Sequence, residues 1–134
     1  MAPYLSTWTP SRADVDVMGT VFHGVWARVS ETCREQMHGQ KMLLNMLRMK
    51  SGWFVQNWCF KSTNVEVCIG TTVDLSTTVE QVGDEFSPVY ATETIVRVRG
   101  ELAATISCTV CFYSNGVPKT VPNEIKQRAL RYSK

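Results

Sequence analysis

After His23 the spacing of apolar residues settles into a four-residue rhythm. Val25, Val29, Cys33 and Met37 recur at every fourth position with Trp26 beside them, while Arg28, Glu31, Arg34 and Glu35 fall off the stripe. This pattern predicts an amphipathic helix with one apolar seam, and Gly39 is a natural stop for it. Arg28 with Glu31, and Glu31 with Arg34, are spaced to pair across one turn. Ahead of the helix, Tyr4 to Asp14 reads as a strand running into a turn of aspartates and a glycine. Behind it, Met42 to Met49 predicts a short helix or irregular turn ending at Ser51-Gly52.

From there to Ser114 the chain reads as strand. "WFVQNWCF" is aromatic and β-branched, "TTVDLSTTVEQVG" alternates loosely, and "YATETIVRVRG" runs into a turn at Gly100-Glu101. The cleanest alternation is "ELAATISCTVCFYS", which puts Leu102, Ala104, Ile106, Cys108, Val110 and Phe112 on one face. Ala103, Thr105, Ser107, Thr109 and Cys111 take the other. "SNG" is a turn, and Pro122 opens a last helix with its glutamate early and its arginines and lysine late, as the helix dipole favours. A long helix with a seam to bury and four or more long strands are best satisfied by a curved antiparallel sheet wrapped around that helix, an α+β arrangement. The free edge of such a sheet commonly pairs with a second copy, so a dimer at least is expected.

Composition narrows the function. With 134 residues, 44% hydrophobic and 19% charged, residues 1–134 read as a single domain with a real core. The net charge of +2, without a run of lysine or arginine, gives no footprint for nucleic acid or a polybasic membrane anchor. The first residues lack the apolar core of a secretory signal, and the apolar stretch around Met42 is broken by Asn45 and Arg48. Cys33, Cys59, Cys68, Cys108 and Cys111 make an odd number, which fits a reduced cytoplasmic setting better than a disulfide scaffold. Cys108 and Cys111 lie within a strand and have no second ligand pair, so buried thiols are favoured over a metal or redox centre.

The segment "DVDVMGTVFHGVWARVSE" resembles the N-terminal signature of hotdog-fold acyl-CoA thioesterases of the 4-hydroxybenzoyl-CoA thioesterase type, and "CREQM" is similar to the related stand-alone thioesterases of polyketide pathways. "FYSNGVPKTVPNEIKQRAL" resembles the way those chains end. The resemblance implies a hotdog fold, a homodimer or tetramer, and hydrolysis of an acyl thioester of coenzyme A or an acyl carrier protein. It implies no cofactor or metal beyond the coenzyme A or phosphopantetheine that belongs to the substrate. Asp16 takes the place of the family's catalytic aspartate, His23 that of a histidine whose backbone N–H serves as oxyanion donor, and Glu31 that of a helix glutamate. Arg12 stands where relatives often carry a tyrosine, and Gly24-Val25-Trp26 where they show a small polar pair with asparagine.

The residue types suit this chemistry. A carboxylate acts on a thioester either as nucleophile, giving an acyl anhydride, or as a general base for water. A helix N-terminus offers unpaired N–H groups and the positive end of a dipole to the developing oxyanion. Gly19 permits the turn that carries Asp16 toward the helix, and Gly24 and Val25 complete the backbone that would position the carbonyl. Asp14 and Asp16 also suit turn and capping roles, and Glu31 suits a solvated ion pair. Trp26, Met42, Met46 and Trp53 are candidates for an acyl pocket, or plain core. Lys61, Arg97 and Arg99 are candidates for the phosphates of coenzyme A or the carrier arm. The rivals to hydrolysis are dehydration or cyclisation of a carrier-bound polyketide, and non-catalytic binding.

Overall fold

The apolar seam becomes the buried face of α1 (His23–His38), where Val29, Cys33 and Met37 are shielded from solvent. The structure, a computed structural model, describes residues 2–83 and 87–134. Its other elements are β1 (Tyr4–Trp8), α2 (Gln40–Arg48), β2 (Ser51–Ser62), β3 (Val73–Val82), β4 (Val89–Val98), β5 (Glu101–Ser114), β6 (Val117–Pro118) and α3 (Asn123–Leu130). The strands form one antiparallel sheet in the order β1-β3-β4-β5-β2, with the short β6 pairing back onto β5. Helix α1 touches β1 through β5, so the curved sheet wrapped around one long helix is borne out. Val29, Cys33 and Trp26 pack with Val73, Leu75, Val96 and Ile106 in the main core.

Three differences from the sequence reading have physical causes. The first strand ends at Trp8 rather than Asp14, because Pro10 lacks the N–H a ladder needs and residues Arg12–Asp14 close a single 3₁₀ turn. Residues 63–72 are not strand; Thr63 leaves the sheet by donating its hydroxyl to the Leu102 carbonyl at 2.7 Å and capping Val65 N–H at 3.1 Å. On β5, Leu102 is exposed although it shares the alternating face of Ile106. Pairing with β4 steps from Val96–Ala104 to Arg97–Leu102, so Ala103 is an extra bulged residue that reverses the faces beyond it. Gly39, at φ 82°, ends α1 and turns the chain into α2.

Candidate active site

The two aspartates of the opening stretch have different duties. Asp14 is buried; its Oδ2 accepts from Ser11 N–H at 2.8 Å and Ser11 Oγ at 3.0 Å, and its Oδ1 accepts from Arg28 Nη2 at 2.8 Å. The Ser11 N–H is the main cause holding its carboxyl below the ordinary range; burial opposes, and the Ser11 hydroxyl and Arg28 add to the lowering. Arg28 is therefore committed to Asp14 and not to Glu31. Glu31 is exposed, and among the described residues neither predicted pair of Glu31 forms.

Asp16 sits two residues on, where the turn of a small hairpin tied by the Val15–Val21 bridge begins. Its Oδ1 accepts from the N–H of Met18 at 2.8 Å and of Thr20 at 3.1 Å. No hydrogen bond to its Oδ2 is formed among the described residues, so one oxygen is anchored and the other is open. Gly19 donates its N–H to the Asp16 carbonyl at 3.0 Å with φ 82°, a conformation that glycine adopts without strain.

The hairpin delivers the chain to the start of α1. Phe22 donates its N–H to the Asp14 carbonyl and accepts from Val25 N–H at 3.1 Å. No side chain caps this helix, and among the described residues the N–H groups of His23 and Gly24 have no partner. The Val25 N–H is taken by Phe22 and its side chain packs on the main core, which leaves His23 and Gly24 as the open donors. A Cβ on Gly24 would meet nothing within 4 Å, so the space over this turn is clear. The imidazole of His23 stands edge-on to Phe60 at 5.3 Å, and Phe60 stacks on Trp26 at 5.5 Å. These three, with Thr20, Thr63 and Glu66, line a cleft of about 160 Å³. Asp16 opens instead onto a neighbouring concavity shared with Arg12, Met18 and Ile69.

The residues suggested as one acyl pocket are divided. Trp26 walls the His23 cleft, held by Trp8 and Phe60. Met42 and Met46 lie at the far end, in a cluster with Phe112 and Ile125. Trp53 is between, stacked near His38, Tyr90 and Phe112. The three cations do share a region. Lys61 pairs with Thr105 on β5, Arg97 pairs with Leu102, and Arg99 lies in the β4–β5 turn. That is the end of the sheet where Ala103 and Ala104 floor the His23 cleft.

No protein-family model matches the sequence, and no curated protein matches it at a significant level. Solved structures do. Dynemicin thioesterase superimposes at TM-score 0.85 with 15% identity, over 98% of this chain and 98% of its own. A 1,4-dihydroxy-2-naphthoyl-CoA thioesterase from Synechocystis gives TM-score 0.81 with 10% identity, over 95% of each chain. A Staphylococcus aureus protein in complex with CoA gives 0.82 with 12% identity, over 98% of this chain and 85% of that one. The fold is the hotdog fold.

Inside this hotdog fold lies a polar cluster that the sequence reading did not single out. Arg34, placed on the solvent side by the four-residue rhythm, is 1% exposed. Its Nη1 donates to Cys108 Sγ at 3.8 Å, its Nε has no partner, and it joins no salt bridge among the described residues. One turn on, His38 is also 1% exposed, with Nε2 at 3.1 Å from the Tyr90 hydroxyl. Burial, then Arg34 and Arg128, lower the His38 pKa to about 4, so the ring is neutral. Burial pushes the Tyr90 hydroxyl and the Cys108 thiol up. A buried cation without a carboxylate is costly, by several kcal/mol in general. Arg34→Met, which keeps the length and removes the charge, is expected to leave the thermal unfolding midpoint unchanged or raise it. A marked fall on differential scanning would contradict the unpaired state of Arg34.

Proposed function

We propose that the protein is a thioesterase hydrolysing an acyl thioester of coenzyme A or an acyl carrier protein. The observation that carries the reading is the uncapped start of α1, where the His23 and Gly24 N–H groups open beside an aromatic cleft. A tetrahedral oxyanion needs two donors of this kind, fixed before it forms. Asp16, with Oδ1 anchored and Oδ2 open, is the attacker, either on the carbonyl carbon directly or by taking a proton from water. Lys61, Arg97 and Arg99, at the same end of the sheet, meet the phosphates of coenzyme A or of the carrier arm. Likeness in fold to thioesterases and to a CoA-bound protein supports the substrate class. No further cofactor is needed, because the thioester itself is the activated group.

The reading includes a homodimer, alone or paired into a tetramer. Strand β2 is twelve residues long, forms one edge of the sheet and leaves Phe54 and Val55 exposed; a bare edge of this length recruits another strand. Antiparallel pairing of β2 with its copy sets the Ser51 end of one protomer against the Ser62 end of the other. The His23 cleft then adjoins α2 of the second copy. Sedimentation equilibrium is expected to give twice the chain mass or a multiple of it; a monomer would overturn this part. A cytoplasmic setting belongs to the same reading, consistent with five free cysteines. No helix among the described residues is long and apolar enough to cross a membrane.

Thiol release from acyl-CoAs and carrier-bound thioesters, with the product identified by mass spectrometry, tests the activity. The free acid is expected; an altered acyl group still on its carrier would favour dehydration or cyclisation instead.

A further inference from the structure

The net charge of +2 conceals a strong segregation. Between Glu35 and Glu66 the chain carries no acidic residue, while Lys41, Arg48, Lys50 and Lys61 fall within that stretch. From Leu102 to the C-terminus the single carboxylate side chain is Glu124, against Lys119, Lys126, Arg128, Arg131 and Lys134. The fold brings the α2 part of the first segment and the start of α3 in the second to one end of the molecule, where Met42 and Met46 pack with Phe112, Val121 and Ile125, while Lys61 lies at the other end beside the His23 cleft. Lys134 is spoken for by Glu80 and Glu93, and Arg128 is turned toward Gly39. Lys41, Arg48, Lys50, Lys119 and Arg131 remain at the surface.

Exposed apolar side chains accompany these cations on α2 and just beyond it. Leu44 is 51% exposed, Leu47 73% and Met49 64%. Beside them a pocket of about 250 Å³ opens between α2 and α3, floored by Met42, Met46, Phe112 and Ile125. Lys41, Leu44, Leu47 and Arg48 form an exposed stripe of mixed basic and apolar side chains along α2, which fits an acidic helix carrying an apolar side chain; the pocket beside it is lined by Arg48 and Glu124 as well as apolar groups. Methionine lining suits such a contact because it adapts to the shape of what enters. A second copy does not fit, since two such faces would bring like charges together. A bilayer does not fit either: the pocket is concave and α2 offers little more than two turns.

We propose that the exposed side of α2, Lys41, Leu44, Leu47 and Arg48 with Lys50 just beyond it, beside the α2–α3 pocket, docks an acidic carrier protein that delivers the thioester. The inference rests on the thioesterase reading and selects the carrier protein over free coenzyme A as the natural substrate bearer. It is consistent with that reading's dimer, in which α2 of one protomer adjoins the His23 cleft of the other.

The test compares wild type with Lys41→Glu/Arg48→Glu/Lys50→Glu on one acyl group offered two ways, on an acidic acyl carrier protein and on pantetheine. Circular dichroism and thermal unfolding verify the fold of the variant. The expected result is a KM for the carrier substrate raised at least tenfold more than that for acyl-pantetheine, and a wild-type carrier KM that rises with salt as charge steering requires. Equal changes for both substrates, or none, would overturn the docking site. Binding of the phosphopantetheinylated carrier without its acyl group, followed by fluorescence anisotropy, reads the same face without turnover. Loss of that binding in the variant supports the dock even if no thioester is hydrolysed, a result that would count against the thioesterase reading alone. Wild-type binding to anionic vesicles in place of the carrier would also overturn it.

Discussion

Asp16→Asn is expected to lower kcat for thioester hydrolysis by roughly 10²–10⁴-fold, the range that a positioned acid–base group contributes. The substitution is suited to the question because the fold has little reason to notice it. The Asp16 side chain holds its turn by accepting the Met18 and Thr20 N–H groups on Oδ1, and asparagine keeps an acceptor oxygen in that place. What it loses is the charge and the open Oδ2, the features that attack a carbonyl or take a proton from water. Unchanged thermal unfolding with collapsed turnover is the anticipated pair of results. Turnover within a few-fold of wild type would show that Asp16 is a turn residue and that the attacker is elsewhere.

The second large effect is on stability in acid. The pKa of His38 falls from 6.5 to about 4 on folding, so the unfolded chain takes up a proton more readily than the native one. Stability contributed by the neutral ring is complete above about pH 6.5, is lost as pH falls toward 4, and does not decline further below that. At about 1.4 kcal/mol per pH unit the loss amounts to roughly 3 kcal/mol. The groups facing the ring are the Arg34 and Arg128 guanidiniums, which disfavour its charge, the Tyr90 hydroxyl and the Trp53 indole. Glu35, its carboxyl raised chiefly by burial, works in the opposite sense as pH falls, while Asp14 adds its own loss below its ordinary value of 3.8. A comparison with His38→Phe isolates the histidine. The variant gives up the Tyr90 hydrogen bond at every pH, so its level drops but its slope between pH 6.5 and 4 flattens. Equal slopes in urea titrations of the two proteins would refute the assignment.

Both effects depend on features of unequal visibility in the sequence. The helix was legible because one seam of Val29, Cys33 and Met37 must face a sheet, and β5 because its alternation is long. The hairpin around Asp16 and Gly19 was legible because so few residue types suit that turn. Arg34 was not: a charged residue off the apolar stripe reads as solvated, and only the curvature of the sheet around α1 shows that the stripe is wider than four positions. Leu102 was misplaced because a bulge at Ala103 changes face without changing composition. The walls contributed by Thr63 and Glu66 come from a segment that loses strand geometry through a threonine capping bond, which leaves no hydrophobic signature. Met42 and Met46 were grouped with Trp26 because apolar character says nothing of which end of a helix a residue occupies.

The most direct test of the account is thiol release by the wild-type protein from a panel of acyl-CoAs and carrier-bound acyl thioesters, read with a thiol-reactive dye. The account predicts release of thiol together with the free acid from at least one class of substrate, well above the rate without protein. A folded protein that binds these thioesters and releases no thiol from any of them would contradict it.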